Sequence, residues 1–261
     1  MALLQVFFHS EVLGKQVQMN VILPQRSRGQ IGMASIEEKV DTYPTLYLLH
    51  GMSDDHTIWE RRTSIERYVS ERGIAVVMPN ADLSWYTDMV CGAGRYFTFF
   101  SEELPAICRD FFPKMSPRRE DTFVAGLSMG GYGAFKLALN CPQTFSCGIS
   151  LSGALDPSYL YSSVRAPFAE MVFGNYDRSF KGSVNDLYAV SEKLAASDRS
   201  KPRLYQWCGT EDFLYGINTK MRDHLLGLGF DLTYKESEGN HAWQYWDKWI
   251  QDALDWLPIR K

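Results

Sequence analysis

The stretch Val124-Ala125-Gly126-Leu127-Ser128-Met129-Gly130-Gly131-Tyr132-Gly133 decides the fold. It is a G-x-S-x-G set between an apolar run and a helix-forming run. The preceding Asp121 to Ala125 is β-branched and apolar, and the following Tyr132 to Leu139 carries helix formers with an apolar stripe. That order of strand, turn and helix is the context in which a serine is displayed on a sharp elbow. Glycines at 126 and 130 suit such an elbow, because side chains on the serine's neighbours would collide there. A serine held in this way points to nucleophilic acyl-transfer chemistry.

Serine alone is a poor nucleophile, so the reading requires a histidine base and an orienting carboxylate, expected downstream in the order serine, acid, histidine. Of the five histidines, only His224 and His241 follow Ser128. His224 lies in a helix-like stretch, Asn218 to Leu226, where a surface or interfacial histidine is the simpler account. His241 follows the loop signal Glu238-Gly239-Asn240 and precedes the aromatic run Ala242 to Trp246, at a strand-to-helix junction. For the acid, Arg203 to Cys208 reads as a buried strand ending in Gly209-Thr210-Glu211-Asp212. Adjacent residues on an extended chain point opposite ways, so only one of Glu211 and Asp212 should face the histidine. Asp212 is preferred and Glu211 stays open. Carboxyl ends of strands are where open α/β sheets keep their sites.

The tetrahedral intermediate needs backbone donors. One should be the Met129 amide, directly after the nucleophile; the second should come from the loop after an early strand. Tyr43 to His50 reads as that strand, running into Gly51-Met52-Ser53-Asp54-Asp55-His56, and the Met52 amide is the candidate. A metal site built from His50, Asp54, Asp55 and His56 is the competing reading of that loop. Neither a metal nor a cofactor is expected.

These blocks, with Trp85-Tyr86-Thr87, Tyr96-Phe97-Thr98, Glu102-Glu103-Leu104-Pro105 and Asn240-His241-Ala242-Trp243, resemble the putative-esterase (esterase D-like) family of α/β-hydrolases, and within it the bacterial tributyrin esterases. The resemblance covers nearly the whole chain. It implies a serine carboxylesterase preferring short acyl chains, with Ser128, Asp212 and His241 as triad and the Met52 and Met129 amides as oxyanion hole. The same family includes feruloyl and acetyl-xylan esterases, S-formylglutathione hydrolases and mycolyltransferases, so hydrolysis of a thioester and acyl transfer remain alternatives. Trp85, Tyr86 and Trp243 lie beside the site loops and are candidates for lining the substrate cleft.

Composition agrees. The 261 residues are 45% hydrophobic and 14% aromatic, enough for one well-buried α/β domain spanning 1–261, and no linker divides them. A net charge of −4 without a basic stripe argues against nucleic acid or an anionic membrane surface as partner and suits a small, weakly polar ester. No apolar stretch approaches the length of a membrane span, and the N-terminus reads as a strand rather than a signal peptide. Five cysteines without a C-x-x-C suggest reduced thiols and a cytoplasmic location. Oligomeric state is left open, a homo-oligomer included.

Along the chain, Leu3 to Phe8 and Val17 to Leu23 read as a hairpin, Pro24 to Asp41 as a polar loop, and 45–50 as a strand. Ile58 to Ser70 reads as a helix, Ile74 to Pro79 as a buried strand, and Thr98 to Phe112 as a helix kinked near Pro105. Phe145 to Leu151 reads as a strand, and 152–200, rich in Tyr and Phe, as a cap over the site. A final helix is expected over His241 to Leu257, with Trp246 and Trp249 as core packing. The whole predicts a mostly parallel sheet with helices on both faces.

Overall fold

The computed structural model describes residues 1–27, 29, 31, 32, 36, 41–92 and 94–259. Much of the expected polar loop from Pro24 to Asp41 therefore lies outside the described residues. The chain forms one eight-stranded sheet from β1 (Ala2–Ser10), β2 (Lys15–Leu23), β3 (Thr45–Leu49), β4 (Ala75–Pro79), β5 (Thr122–Leu127), β6 (Cys147–Leu151), β7 (Arg203–Gly209) and β8 (Leu232–Ser237). Its order is β1-β2-β4-β3-β5-β6-β7-β8. The β1–β2 hairpin is antiparallel and β2 runs antiparallel to β4, whereas every pairing from β4 to β8 is parallel. This is the α/β-hydrolase fold of the sequence expectation.

The parallel pairing explains the sequence pattern of the inner strands. β3, β4, β5 and β6 are buried at every position because helices cover both faces. Alternate residues divide between the two sides: Tyr47, Leu49, Val77 and Val124 pack into one core, and Leu46, Leu48, Val76, Phe123 and Ala125 into the other. β1, at the edge, instead alternates exposed and covered residues.

The helices are α1 (Ile58–Arg62), α2 (Ile65–Val69), α3 (Tyr96–Thr98), α4 (Leu104–Phe111), α5 (Met129–Asn140), α6 (Ala166–Phe173), α7 (Leu187–Ala195), α8 (Tyr215–Gly227) and α9 (Trp243–Trp256). Three differ from expectation for identifiable reasons. The single helix expected over Ile58 to Ser70 is split into α1 and α2 because the Thr63 hydroxyl donates to the Trp59 carbonyl and accepts from the Ile65 amide, diverting the backbone ladder. The break expected near Pro105 occurs one turn earlier, as a π turn at Phe99–Glu103 joining α3 to α4, whose first turn holds the proline. The last helix starts at Trp243, so His241 belongs to the preceding loop. Within α9, Trp246, Ile250, Ala253 and Leu254 are buried, and half-buried Trp249 stacks on Trp207 at 5.3 Å.

Residues 152–200 fold into helical turns at Pro157–Ser162 and Tyr176–Phe180 together with α6 and α7. An aromatic group of Tyr161, Phe173, Tyr176 and Phe180 holds the insertion together, with centroid separations of 5.3 to 5.9 Å. The Tyr132 hydroxyl on α5 donates to the Asn185 carbonyl at 2.8 Å, tying the insertion to the helix that follows Ser128. Among the described residues, no helix is long and apolar enough to cross a membrane.

Candidate active site

Ser128 joins β5 to α5 with φ 52° and ψ −118°, a conformation that costs a non-glycine residue roughly 1–3 kcal/mol. Backbone bonds hold it there. Its amide donates to the Leu151 carbonyl at 3.0 Å, and its carbonyl accepts from the amides of Tyr132 at 3.1 Å and Ala154 at 3.0 Å. The glycines are required by close approach. A Cβ on Gly126 would stand 2.3 Å from the Gly130 carbonyl oxygen, and one on Gly130 would stand 2.6 Å from the carbonyl oxygens of Leu49 and His50. Backbone lies on both sides of the elbow and cannot yield as a side chain would.

The serine, histidine and acid meet from three different strand ends. Ser128 Oγ and His241 Nε2 are 3.0 Å apart, and His241 Nδ1 lies 2.8 Å from Asp212 Oδ2. A carboxylate can only accept, so Nδ1 carries the proton and Nε2 is free to accept from the serine hydroxyl. The Asp212 side chain is fully buried, and its other oxygen accepts the Leu214 amide at 2.9 Å. Glu211 points the other way. Its carboxylate accepts from the Gly239 amide and from Thr210 Oγ1, and its own amide donates to the Gly239 carbonyl, which fastens the loop carrying His241. The Gly239 amide holds the Glu211 carboxyl below its ordinary pKa. The two adjacent acids thus divide the work, separated by a turn that the Asp212 amide closes on the Gly209 carbonyl and not by the extended chain the sequence suggested. His224 stays on α8, against Ser191 at 2.9 Å and the Tyr188 ring.

Met129 is the first residue of α5, where backbone amides lack helical acceptors, and Met52 lies in the loop after β3. Among the described residues neither amide donates a hydrogen bond within the chain. A Cβ on Gly51 would come within 3.8 Å of Ser128 Cβ, so this loop runs directly past the nucleophile. His50, read from sequence only as marking the turn or as a metal ligand, anchors the loop. Its Nδ1 donates to the Gly51 carbonyl at 2.7 Å, its Nε2 accepts the Ala81 amide at 2.9 Å, and its carbonyl accepts the Tyr86 hydroxyl at 2.8 Å. Both ring nitrogens are engaged, leaving no lone pair for a metal. Burial lowers its pKa, in keeping with a neutral ring.

Trp85 and Tyr86, expected to line the cleft, are instead 1% and 0% exposed. Trp85 packs edge-on against Tyr132 and Phe173, and the Tyr86 ring lies where a Cβ on Gly133 would fall within 2.4 Å of it. They support the site from beneath. Trp243 is half-buried, edge-on to Trp59 at 5.1 Å and to Trp246 at 5.3 Å. Two residues that sequence reading passed over reach the site surface. Phe213 lies 4.6 Å from the His241 ring, and Arg165 of the 152–200 insertion reaches Met52 Sδ at 2.9 Å. Lys136 on α5, also passed over, is completely buried. Phe213 had a signal, its place directly after the acid; Arg165 had none.

A strained serine in line with a histidine and a buried carboxylate, beside two unpaired amides, defines the serine-hydrolase class of site. The profile of the family described as "Putative esterase" matches residues 10–257, and the chain belongs to that family. It is a carboxylic ester hydrolase. An acetyl esterase from Caldicellulosiruptor saccharolyticus is 32% identical, the match covering 98% of each chain. Among solved structures, the fluorophosphonate-binding serine hydrolase FphF of Staphylococcus aureus is 34% identical with a TM-score of 0.88, covering 100% of this chain and 99% of the other. The S-formylglutathione hydrolase FrmB of Staphylococcus aureus is 33% identical with a TM-score of 0.84, covering 98% of both.

Proposed function

We propose that the chain acts as a single-domain serine carboxylesterase that cleaves small esters of short acyl chains through an acyl-enzyme on Ser128. The unbroken line from Asp212 through His241 to Ser128, at 2.8 and 3.0 Å, carries this reading. Ser128 Oγ attacks the ester carbonyl as its proton passes to His241 Nε2. Asp212 holds the imidazole in the required tautomer and stabilises its charged form. The oxyanion is received by the Met52 and Met129 amides, each worth about a hundredfold or more in turnover. Collapse breaks the bond to the leaving oxygen, which takes the proton back from His241. Water, activated by the same imidazole, then attacks the acyl-enzyme and restores the serine.

The acetyl esterase relative supports a preference for short acyl groups. The likeness to an S-formylglutathione hydrolase favours one second reading, a thioester substrate cleaved by the same residues. Five free cysteines, four of them buried, support a reducing, cytoplasmic setting. The test is hydrolysis of p-nitrophenyl esters from acetate to laurate by wild type and Ser128→Ala. Rates peaking at short chains and lost in the variant are expected; substantial activity in Ser128→Ala refutes the assignment.

A further inference from the structure

We infer that Phe213 is the specificity-determining wall for the leaving group, an apolar surface against which the alcohol portion of the ester packs. The inference rests on the esterase reading above and adds to it the chemistry of the alcohol. In that reaction His241 Nε2 must return a proton to the departing oxygen, so the leaving group has to lie within hydrogen-bond reach of the imidazole. Whatever flanks the imidazole on its open side therefore touches the alcohol.

Among the described residues the imidazole has two aromatic neighbours. Trp246 meets it edge-on at 4.8 Å but is buried, and its indole N–H is committed to Ser152 Oγ at 3.1 Å. Phe213 meets it at 4.6 Å with the ring tilted by 53°, and is 71% exposed. Single exposed apolar side chains are ordinary on protein surfaces. Phe213 differs because its backbone is pinned on both sides. Asp212 and Leu214 are buried, the Asp212 amide donates to the Gly209 carbonyl at 3.1 Å, and the amides of Leu214 and Tyr215 donate to Asp212 at 2.9 Å. The carboxylate that orients the histidine thus also fixes the turn that presents the phenyl ring. A ring set in place beforehand loses little freedom when a ligand covers it. At the loop after β3 the surface is of another kind, the Met52 side chain with the Arg165 guanidinium against it. The site is therefore apolar toward the leaving group, and alcohols with an aromatic or bulky apolar face fit it better than small hydrophilic ones.

The test compares benzyl acetate with methyl acetate, which share an acyl group and differ in the apolar face of an alcohol of similar acidity. The readout is the ratio of their kcat/KM values, which cancels any general loss of activity or folded fraction. Phe213→Ala is expected to lower the benzyl-to-methyl ratio about fivefold to tenfold, the worth of one aromatic contact. Phe213→Leu, which keeps an apolar side chain, should recover part of it, and the ratio of methyl acetate to methyl butyrate should stay in place in both variants. An unmoved benzyl-to-methyl ratio in Phe213→Ala overturns the role of Phe213. A wild-type chain inert toward both acetates instead contradicts the esterase reading itself, and the inference falls with it.

Discussion

Replacing Lys136 with methionine tests how the 152–200 insertion is fastened to the helix behind the nucleophile. The Lys136 Nζ lies 2.9 Å from the Tyr86 carbonyl, 2.8 Å from Thr87 Oγ1 and 2.6 Å from Asn185 Oδ1. Thr87 spends its own proton on the Trp85 carbonyl, so all three partners accept, and only an ammonium supplies three donors. The charge also faces the rings of Phe97 and Tyr132 at 4.9 and 5.7 Å. Burial opposes it and lowers the pKa well below the ordinary lysine value, while the Asp88 carboxylate works in the other direction. Methionine fills a similar volume but orphans the Tyr86 carbonyl and Asn185 Oδ1, at roughly 1–3 kcal/mol each. Removing a desolvated charge returns part of that sum. A net loss of about 2–3 kcal/mol is expected, which at an m-value of ~3 kcal/mol/M moves the urea midpoint down by about 0.7–1 M with m unchanged. Adding Asn185→Ala to Lys136→Met should cost less than Asn185→Ala alone, because the two residues share one bond. An unchanged or higher midpoint in Lys136→Met would refute this reasoning and mean that the buried charge is a net burden.

Gly126→Ala should lower kcat/KM on a short-chain ester by about a hundredfold or more and also lower Tm, since its Cβ would sit 2.3 Å from the Gly130 carbonyl oxygen. Gly216→Ala, in α8 where a Cβ meets nothing within 4 Å, should instead stabilise by roughly 0.5–1 kcal/mol; a lower Tm would contradict that. Asp212→Asn keeps the shape but offers the imidazole the wrong partner, and turnover should fall by about four orders of magnitude with the fold intact by circular dichroism. His50 is neutral when folded and its pKa is lowered, so the unfolded chain binds more protons just below the free histidine value. Its contribution to stability is complete above pH ~6.5 and declines as the pH falls toward the folded-state pKa. Urea midpoints from pH 7.5 to 5 should show this slope diminished in His50→Gln, and an identical slope in the variant would exclude the residue as its source.

The elbow was legible because three independent demands coincide at Gly126 to Gly133: an apolar strand, a helix, and glycines where backbone crowds backbone. Asp212 could be read because it follows a buried strand, and His241 because a loop signal precedes it at a strand-to-helix junction. The preference for Asp212 over Glu211 holds, although a turn closed by the Asp212 amide on the Gly209 carbonyl, and not an extended chain, separates the two side chains. Other features depend on tertiary detail that local pattern does not carry. Thr63 looks like any helix-compatible residue until its hydroxyl is seen between the Trp59 carbonyl and the Ile65 amide. Trp85 and Tyr86 take positive φ values and turn inward beneath the site, whereas an aromatic pair beside a site loop reads the same whether it faces in or out. His50 carried a ligand-like signature yet spends both nitrogens on backbone. Phe213 was passed over although it directly follows the acid, because that place gains meaning only once the imidazole is found beside the ring.

The role of Ser128 as the acyl-accepting nucleophile is tested most directly by intact-mass measurement after treatment with a serine-directed organophosphonate, followed by peptide mapping. One adduct per chain on the peptide containing Ser128, absent from a folded Ser128→Ala variant and slowed in His241→Ala, is the predicted result. Labelling that persists in Ser128→Ala, or that maps to another serine, would contradict it.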